Sequence, residues 1–291
     1  MSEAELVLLA QVIITGLLAG AVYALSACGL NLIVGVMGIV NMAHGEQLMI
    51  GAFVTFGVFT LLGTKSPLIL FAAIPVTFVL GMLIQKYLLE PMMASLEVGT
   101  LLLTFGLSVF LSTGFIFLFT ANYRSVHIFG GSLLLGPFAF PWSRVATAGI
   151  AGAFTLVIYL FLKRHRLGKA IRATSQNADA ARGCGIDVRR IRILSFGLGS
   201  AMAGAAGAMV STSYAFNPDI GQTFILKTFA AITLGGMGSF VGGLVGALLL
   251  GLAESLAAWY LTAQIAEMVA YVALIGVLLV RPTGLLGLRR K

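Results

Sequence analysis

Residues 163–192 read KRHRLGKAIRATSQNADAARGCGIDVRRIR, the only long polar run in a chain that is otherwise close to continuous apolar sequence. Half of the eighteen Lys and Arg side chains lie in it: Lys163, Arg164, Arg166, Lys169, Arg172, Arg182, Arg189, Arg190 and Arg192. Apolar runs bound it on both sides. A water-exposed segment between two membrane spans looks like this, and its cationic excess places it on the cytoplasmic face. The chain therefore has one large cytoplasmic feature, a natural docking point for a soluble cytoplasmic partner.

The 291 residues are 59% hydrophobic and only 10% charged, with a mean hydropathy of +1.04. A soluble domain carries about 25% charged residues. Too few are present to cover a water-facing surface, so the composition predicts an integral membrane protein. The net charge of +8 does not suggest nucleic acid, because the basic residues sit in loops and ends. Gly, at 36 residues, is abundant in the way expected of packed membrane helices. Cys28 lies in an apolar run and Cys184 in the basic segment, so no disulfide and no metal-ligand spacing is expected. The start, MSEAE, is acidic and lacks the basic opening of a secretory signal, so the first apolar run reads as a retained span.

A spanning helix needs roughly 20 mainly apolar residues. Stretches meeting or approaching this are 6–27, 47–62, 67–85, 100–120, 145–162, 193–213, 223–237, 240–261 and 265–280. Residues 29–46 are mixed, GLNLIVGVMGIV followed by the polar NMAHGE, and read as a span extension or a half-helix that does not cross. With the N-terminus outside, this arrangement puts the central run, Lys86 and the basic tail (Arg281, Arg289, Arg290, Lys291) in the cytoplasm. The predicted fold class is an all-α polytopic helical bundle of about 8–9 transmembrane helices.

That order has an internal symmetry. Residues 6–120 form one half, 145–162 a connecting span, 163–192 the basic loop, and 193–280 a second half of opposite orientation. In each half the first span is followed by a glycine-broken stretch, NMAHGE in one and LGGMG in the other. Interrupted segments at corresponding positions of two inverted halves point to a transport pathway.

Small residues recur every four positions: Gly235, Ser239, Gly243, Ala247 and Gly251; Gly238, Gly242 and Gly246; Gly199, Ala203 and Gly207; Gly16 and Gly20. Residues four apart share a helix face, and small ones allow close backbone approach, within the chain or between subunits. Asn41, His44 and Glu46 sit beside a helix break, either lining a pathway or capping a cytoplasmic turn. Glu254 falls within a span, where a carboxylate is costly unless paired, and Lys227 is its candidate partner. Neither an HExxH nor a GxSxG motif is present, so no catalytic set is assigned. The Walker A motif GxxxxGK[ST] is also missing, so the chain has no nucleotide site of its own. Within the basic run a short helix is predicted up to Gly183, with Asn177 as N-cap, Asp179 in its first turn, and Gly183 and Gly185 ending it.

Several stretches together resemble one family. GLNLIVGVMGIVNMAHGEQLMIGAF (29–53), LGKAIRATSQNADAARGCGIDVRRIR, SFGLGSAMAGAAGAM, FAAITLGGMGSFVGGLVGALLLGLAES and VRPTGLLG are similar to LivH-type permease subunits of branched-chain amino acid ABC importers. The likeness runs over nearly the whole chain, as a single permease domain. It implies a homologous second permease as heterodimer partner, two cytoplasmic ATPase subunits that bind ATP and Mg, and a periplasmic solute-binding protein. It also implies a multi-pass subunit of the bacterial inner membrane, with lipid around it. In such importers a short EAA-like coupling helix docks the ATPase. Asn177, Asp179, Ala180, Ala181, Arg182, Gly185 and Ile186 resemble that element, with Asp in place of Glu. The expected mechanism is alternating access driven by the partner ATPases. Branched-chain or other hydrophobic amino acids are the first substrate class, with urea, amides or organic acids as alternatives. A stand-alone secondary transporter and an intramembrane enzyme are the rival classes.

Overall fold

The computed structural model describes residues 3–92, 97–281 and 283–286; Arg289, Arg290, Lys291 and the Glu97 side chain lie outside them. The chain folds as α1 (Glu3–Met37), α2 (His44–Leu62), α3 (Ala73–Ile84), α4 (Glu97–Phe119), a hairpin of β1 (Ser132–Leu135) and β2 (Phe138–Pro141), and α5 (Trp142–Arg164). Then come α6 (Arg166–Gln176), α7 (Ala178–Gly183), α8 (Val188–Ser213), α9 (Ile220–Gly235), α10 (Phe240–Tyr260) and α11 (Ala263–Val280). Seven helical stretches are long and apolar enough to cross a membrane, and Ile220–Gly235 and Gln264–Val280 are shorter apolar helices. The protein is a polytopic helical membrane protein.

Local chemistry sets the helix ends. α1 runs on through residues 29–37, so that part of the mixed stretch is a span extension. It stops where Gly38 takes the left-handed conformation, φ 69°, and its N–H donates to Val34 O. Gly63, φ 59°, ends α2 in the same way. Side-chain oxygens cap the starts of later helices: Asp187 Oδ1 accepts from Arg190 N, Ser239 Oγ from Gly242 N, and Thr262 Oγ1 from Ile265 N.

Contacts give the direction of each helix. At one end of the bundle lies the hairpin, where Gln11 Nε2 donates to Ala139 O and Thr147 meets Ser213. At the other lie α6 and α7 with their basic residues. α1 runs from the hairpin end to the basic end, and α10 returns beside it: Gly16 packs on Gly251 and Ser255, Gly20 on Leu248, and Gly243 on Ala27 and Asn31. α3 and α8 are antiparallel, with Thr77 against Gly204 and Gly81 against Ser200. Both α2 and α4 run toward the hairpin end, where Phe53 meets Phe115, Phe119 and Phe216. α9 runs beside α1 in the same sense, with Tyr23 on Phe224 and Ser26 on Thr228. The helices α1–α4 and α8–α11 thus cross in opposite senses, as two inverted halves joined by α5.

Two details differ from the sequence reading. The break of the second half that matches 38–43 is 214–219, which leads into α9; LGGMG instead forms the turn from α9 to α10. That turn is clamped by buried Asn31, whose Nδ2 donates to Ser239 O and Gly236 O while Oδ1 accepts from Gly238 N. Gly235 therefore lies on α9, not in one helical stripe with Gly243, and packs across on Gly242 and Gly246. Glu90 accepts from Gln85 Nε2 at 3.0 Å and pairs with Arg192 at 3.7 Å. Arg124 stands over the rings of Phe53, Phe56 and Phe119.

The end of the described chain folds back. Leu285 N donates to Leu234 O and Leu286 N to Gly235 O. Gly284 makes the turn at φ 73°, against Gly236. The last carbonyls of α9 would otherwise have no intrahelical donor.

Candidate functional site

The starts of two helices touch inside the bundle. α2 starts at His44, whose Nε2 lies 3.1 Å from Ser26 O in α1. Ser26 sits eleven residues before the end of α1, about 16 Å back along its axis at 1.5 Å per residue. Residues 38–43 therefore climb back into the bundle before α2 begins. α9 starts at Ile220, about one turn before Phe224, which packs on Tyr23, and its N-cap Asp219 is exposed. The two starts touch. A Cβ at Gly45 would overlap Gly221 O, and one at Gly221 would overlap the Glu46 carboxylate. Gly45 faces backbone, so any side chain there would force the two helices apart, whereas a side chain at Gly221 would first displace the Glu46 carboxylate.

The polar side chains of this junction are fully enclosed. Asn41, His44, Glu46 and Gln47 have no exposed surface. Asn41 Oδ1 accepts from Ala43 N at 3.0 Å, Thr104 Oγ1 from Met42 N at 3.3 Å, and Glu46 Oε1 from Ser108 Oγ at 2.9 Å. Among the described residues, Asn41 Nδ2, His44 Nδ1, Glu46 Oε2 and both amide atoms of Gln47 meet no hydrogen-bonding partner. Buried polar atoms are almost always partnered, and an orphan at membrane depth costs several kcal/mol. These unpartnered atoms gather in one turn, at the start of α2. Asn41, His44 and Glu46 come together here. Gln47, Ser108, Gly45 and Gly221 were not singled out from the sequence, although HGEQ beside an apolar run was the available signal.

A second buried polar group lies one turn away along α1. Lys227 Nζ is 3.2 Å from Glu254 Oε2, and Tyr23 Oη donates to the same oxygen at 2.9 Å. Lys227 also stands over the Tyr23 ring and lies in the middle of α9 rather than at its end. These contacts tie α1, α9 and α10 together. Among the described residues, no three His, Cys, Asp or Glu side chains gather closely enough to hold a metal ion.

The basic run forms a helical elbow. α6 packs Gly168, Ile171 and Thr174 inward. α7 is capped by Asn177, whose Oδ1 accepts from Asp179 N and Ala180 N. It ends in a Schellman turn: Gly185 at φ 81° donates to Arg182 O, and Ile186 N to Ala181 O. Asp179 and Arg182 pair at 2.9 Å on the exposed face. Ala180 is exposed, whereas Ala181 is buried against the body. The elbow thus presents Asp179, Ala180 and Arg182 outward and anchors itself through Ala181 and Ile186.

Comparison with known proteins agrees with this architecture. Residues 12–278 match the family described as branched-chain amino acid transport system / permease component. The high-affinity branched-chain amino acid transport system permease protein BraD of Pseudomonas aeruginosa is 34% identical, over 95% of each chain. LivH of Escherichia coli, described in the same words, is 34% identical over 99% of this chain and 98% of its own. Among solved structures, PsaBC from Streptococcus pneumoniae in complex with Fab superposes with a TM-score of 0.52 at 13% identity, covering 92% of this chain and 91% of that one; at that identity the likeness speaks for the fold alone. Helix starts meeting inside the bundle, inverted halves and a capped basic elbow therefore occur here in a member of the branched-chain amino acid transport permease family.

Proposed function

We propose that this chain is the membrane-spanning subunit of an ATP-driven importer that moves branched-chain amino acids across the bacterial inner membrane. The observation that carries the reading is the junction of α2 and α9. Two helices of opposite orientation have their starts in contact inside the bundle, with buried polar side chains around them. Transporters place their solute sites at such discontinuities.

The rest of the machine follows from what this chain has and lacks. The basic end faces the cytoplasm. No Walker A motif is present, so ATP and Mg belong to two partner ATPases that grip the exposed face of α7. Asn177 and Gly185 hold that face rigid, so a push on α7 passes through Ala181 and Ile186 into α8. A homologous second permease completes the pathway, and a periplasmic binding protein delivers solute at the hairpin end. ATP-driven closure then rocks the two inverted halves and opens the junction to alternate sides.

Purification of the intact complex from native membranes, with mass identification of the bound proteins, tests this reading. Reconstituted into vesicles with the binding protein, the complex is expected to accumulate L-leucine only when ATP is supplied. Uptake by this chain alone without ATP, or a complex lacking ATPase subunits, would overturn it.

A further inference from the structure

We infer that Glu46 is the acceptor for the ammonium group of the transported amino acid. The inference rests on the proposed importer function and assigns one residue a chemical task within it. Glu46 stands in the first turn of α2, where the helix N-terminus favours an anion. Ser108 Oγ of α4 holds Oε1, while Oε2 faces Gly221 of α9 and has no donor among the described residues. The Lys227 ammonium is already taken by Glu254. A fully enclosed carboxylate with one free oxygen is costly at membrane depth unless a cation meets it.

The surroundings set the class of cation. Asp219, exposed at the N-cap of α9, lies close enough to act electrostatically on Glu46, so a second carboxylate stands where α9 meets the surface. Asn41 Nδ2, His44 Nδ1 and the Gln47 amide leave unpartnered polar atoms around the same point. A small solute with one ammonium and further polar atoms suits this set better than a bare metal ion, since no metal-holding cluster is found among the described residues. Access comes when the two inverted halves rock apart in the proposed cycle, because the closed junction has no room for even a Cβ at Gly45. Ser108, which holds Glu46, belongs to α4, the least enclosed of the long helices.

The test uses the assembled complex in lipid nanodiscs without the binding protein. Thermal stabilisation is titrated with L-leucine, L-leucinamide (ammonium kept, carboxylate masked) and 4-methylpentanoate (carboxylate kept, ammonium absent). Wild type is expected to be stabilised by the first two and not by the third. Glu46→Gln keeps an acceptor for Ser108 and removes the charge; its half-maximal leucine concentration is expected to rise at least about tenfold, the weight of one charge-assisted hydrogen bond. Asp219→Asn, at an exposed position where the new amide oxygen can still accept from Asn217 Nδ2, is expected to raise it about two- to threefold, as for a screened charge at a distance. Equal stabilisation by 4-methylpentanoate, no stabilisation of wild type by leucine or leucinamide, or an Asp219→Asn titration matching wild type would overturn the inference. So would a leucine titration of Glu46→Gln that matches wild type. ATP-driven leucine uptake measured in parallel separates the two readings: wild-type uptake with an unaffected Glu46→Gln rejects the role of Glu46 alone, whereas no wild-type uptake rejects the importer function.

Discussion

Removal of Lys227 tests the buried pair that ties three helices together. In Lys227→Met the stem is kept and the charge is lost. Glu254 Oε2 then retains only the Tyr23 hydroxyl, and Oε1 already has no partner among the described residues. Breaking a buried ion pair from one side costs about 3–5 kcal/mol. Here the two side chains keep 15% and 11% of their surface, so screening reduces the expected loss to about 2–4 kcal/mol. Glu254→Gln is expected to cost less, about 1–2 kcal/mol, because Lys227 still lies over the rings of Tyr23 and Phe224. The double variant is expected within about 1 kcal/mol of wild type, since neither charge is then stranded. Stability is read by SDS titration in mixed micelles, following the fluorescence of Trp142 and Trp259. A Lys227→Met curve within about 0.5 kcal/mol of wild type, the range of an exposed pair, would refute the reasoning.

Three further outcomes follow from the geometry. Ala180→Arg, on the exposed face of α7, is expected to abolish co-purification of the ATPases while membrane insertion and melting stay normal; Ala181→Arg, at a buried position, is expected to lower the yield of folded protein as well. Asn177→Ala removes the acceptor for two backbone N–H groups and is expected to cost α7 about 1 kcal/mol, seen as faster hydrogen exchange of Asp179 and Ala180 in the assembled complex. Gly221→Ala drives a Cβ into the Glu46 carboxylate and is expected to destabilise the bundle by about 1–3 kcal/mol and to stop uptake; wild-type melting with normal uptake would show that the half-helices do not meet as described.

The span boundaries, the inverted order and the cap at Asn177 were legible because each leaves a local mark: an apolar run, a count of cations, an Asn ahead of small helix formers. The equivalence of 214–219 with 38–43 was not, because its irregular backbone is built from YAFNPD, which reads as an ordinary surface turn, whereas LGGMG advertises itself with glycines. The partners of Glu90 and Arg124 were hidden for a related reason: Arg192 is distant from Glu90 in sequence, and of the three phenylalanines around Arg124 only Phe119 is near it. The Lys227–Glu254 pairing was accessible because a charge in a span demands a counter-charge, and few were on offer. Glu46 offered no such demand-and-supply match, and its orphan oxygen is visible only once α4 and α9 are in place.

The return of residues 284–286 onto the last carbonyls of α9 bears on biogenesis. These residues leave the ribosome only after α10 and α11, so α9 enters the bilayer with its basic end uncapped and stays so while two more helices are made. Its final closure is a late event, and until then its end has the Asn31 clamp on the following turn but not the return of 284–286. A purification handle fused directly after Leu286 would therefore sit beside the cap of the half-helix that shapes the junction; a handle on the hairpin side leaves that closure undisturbed.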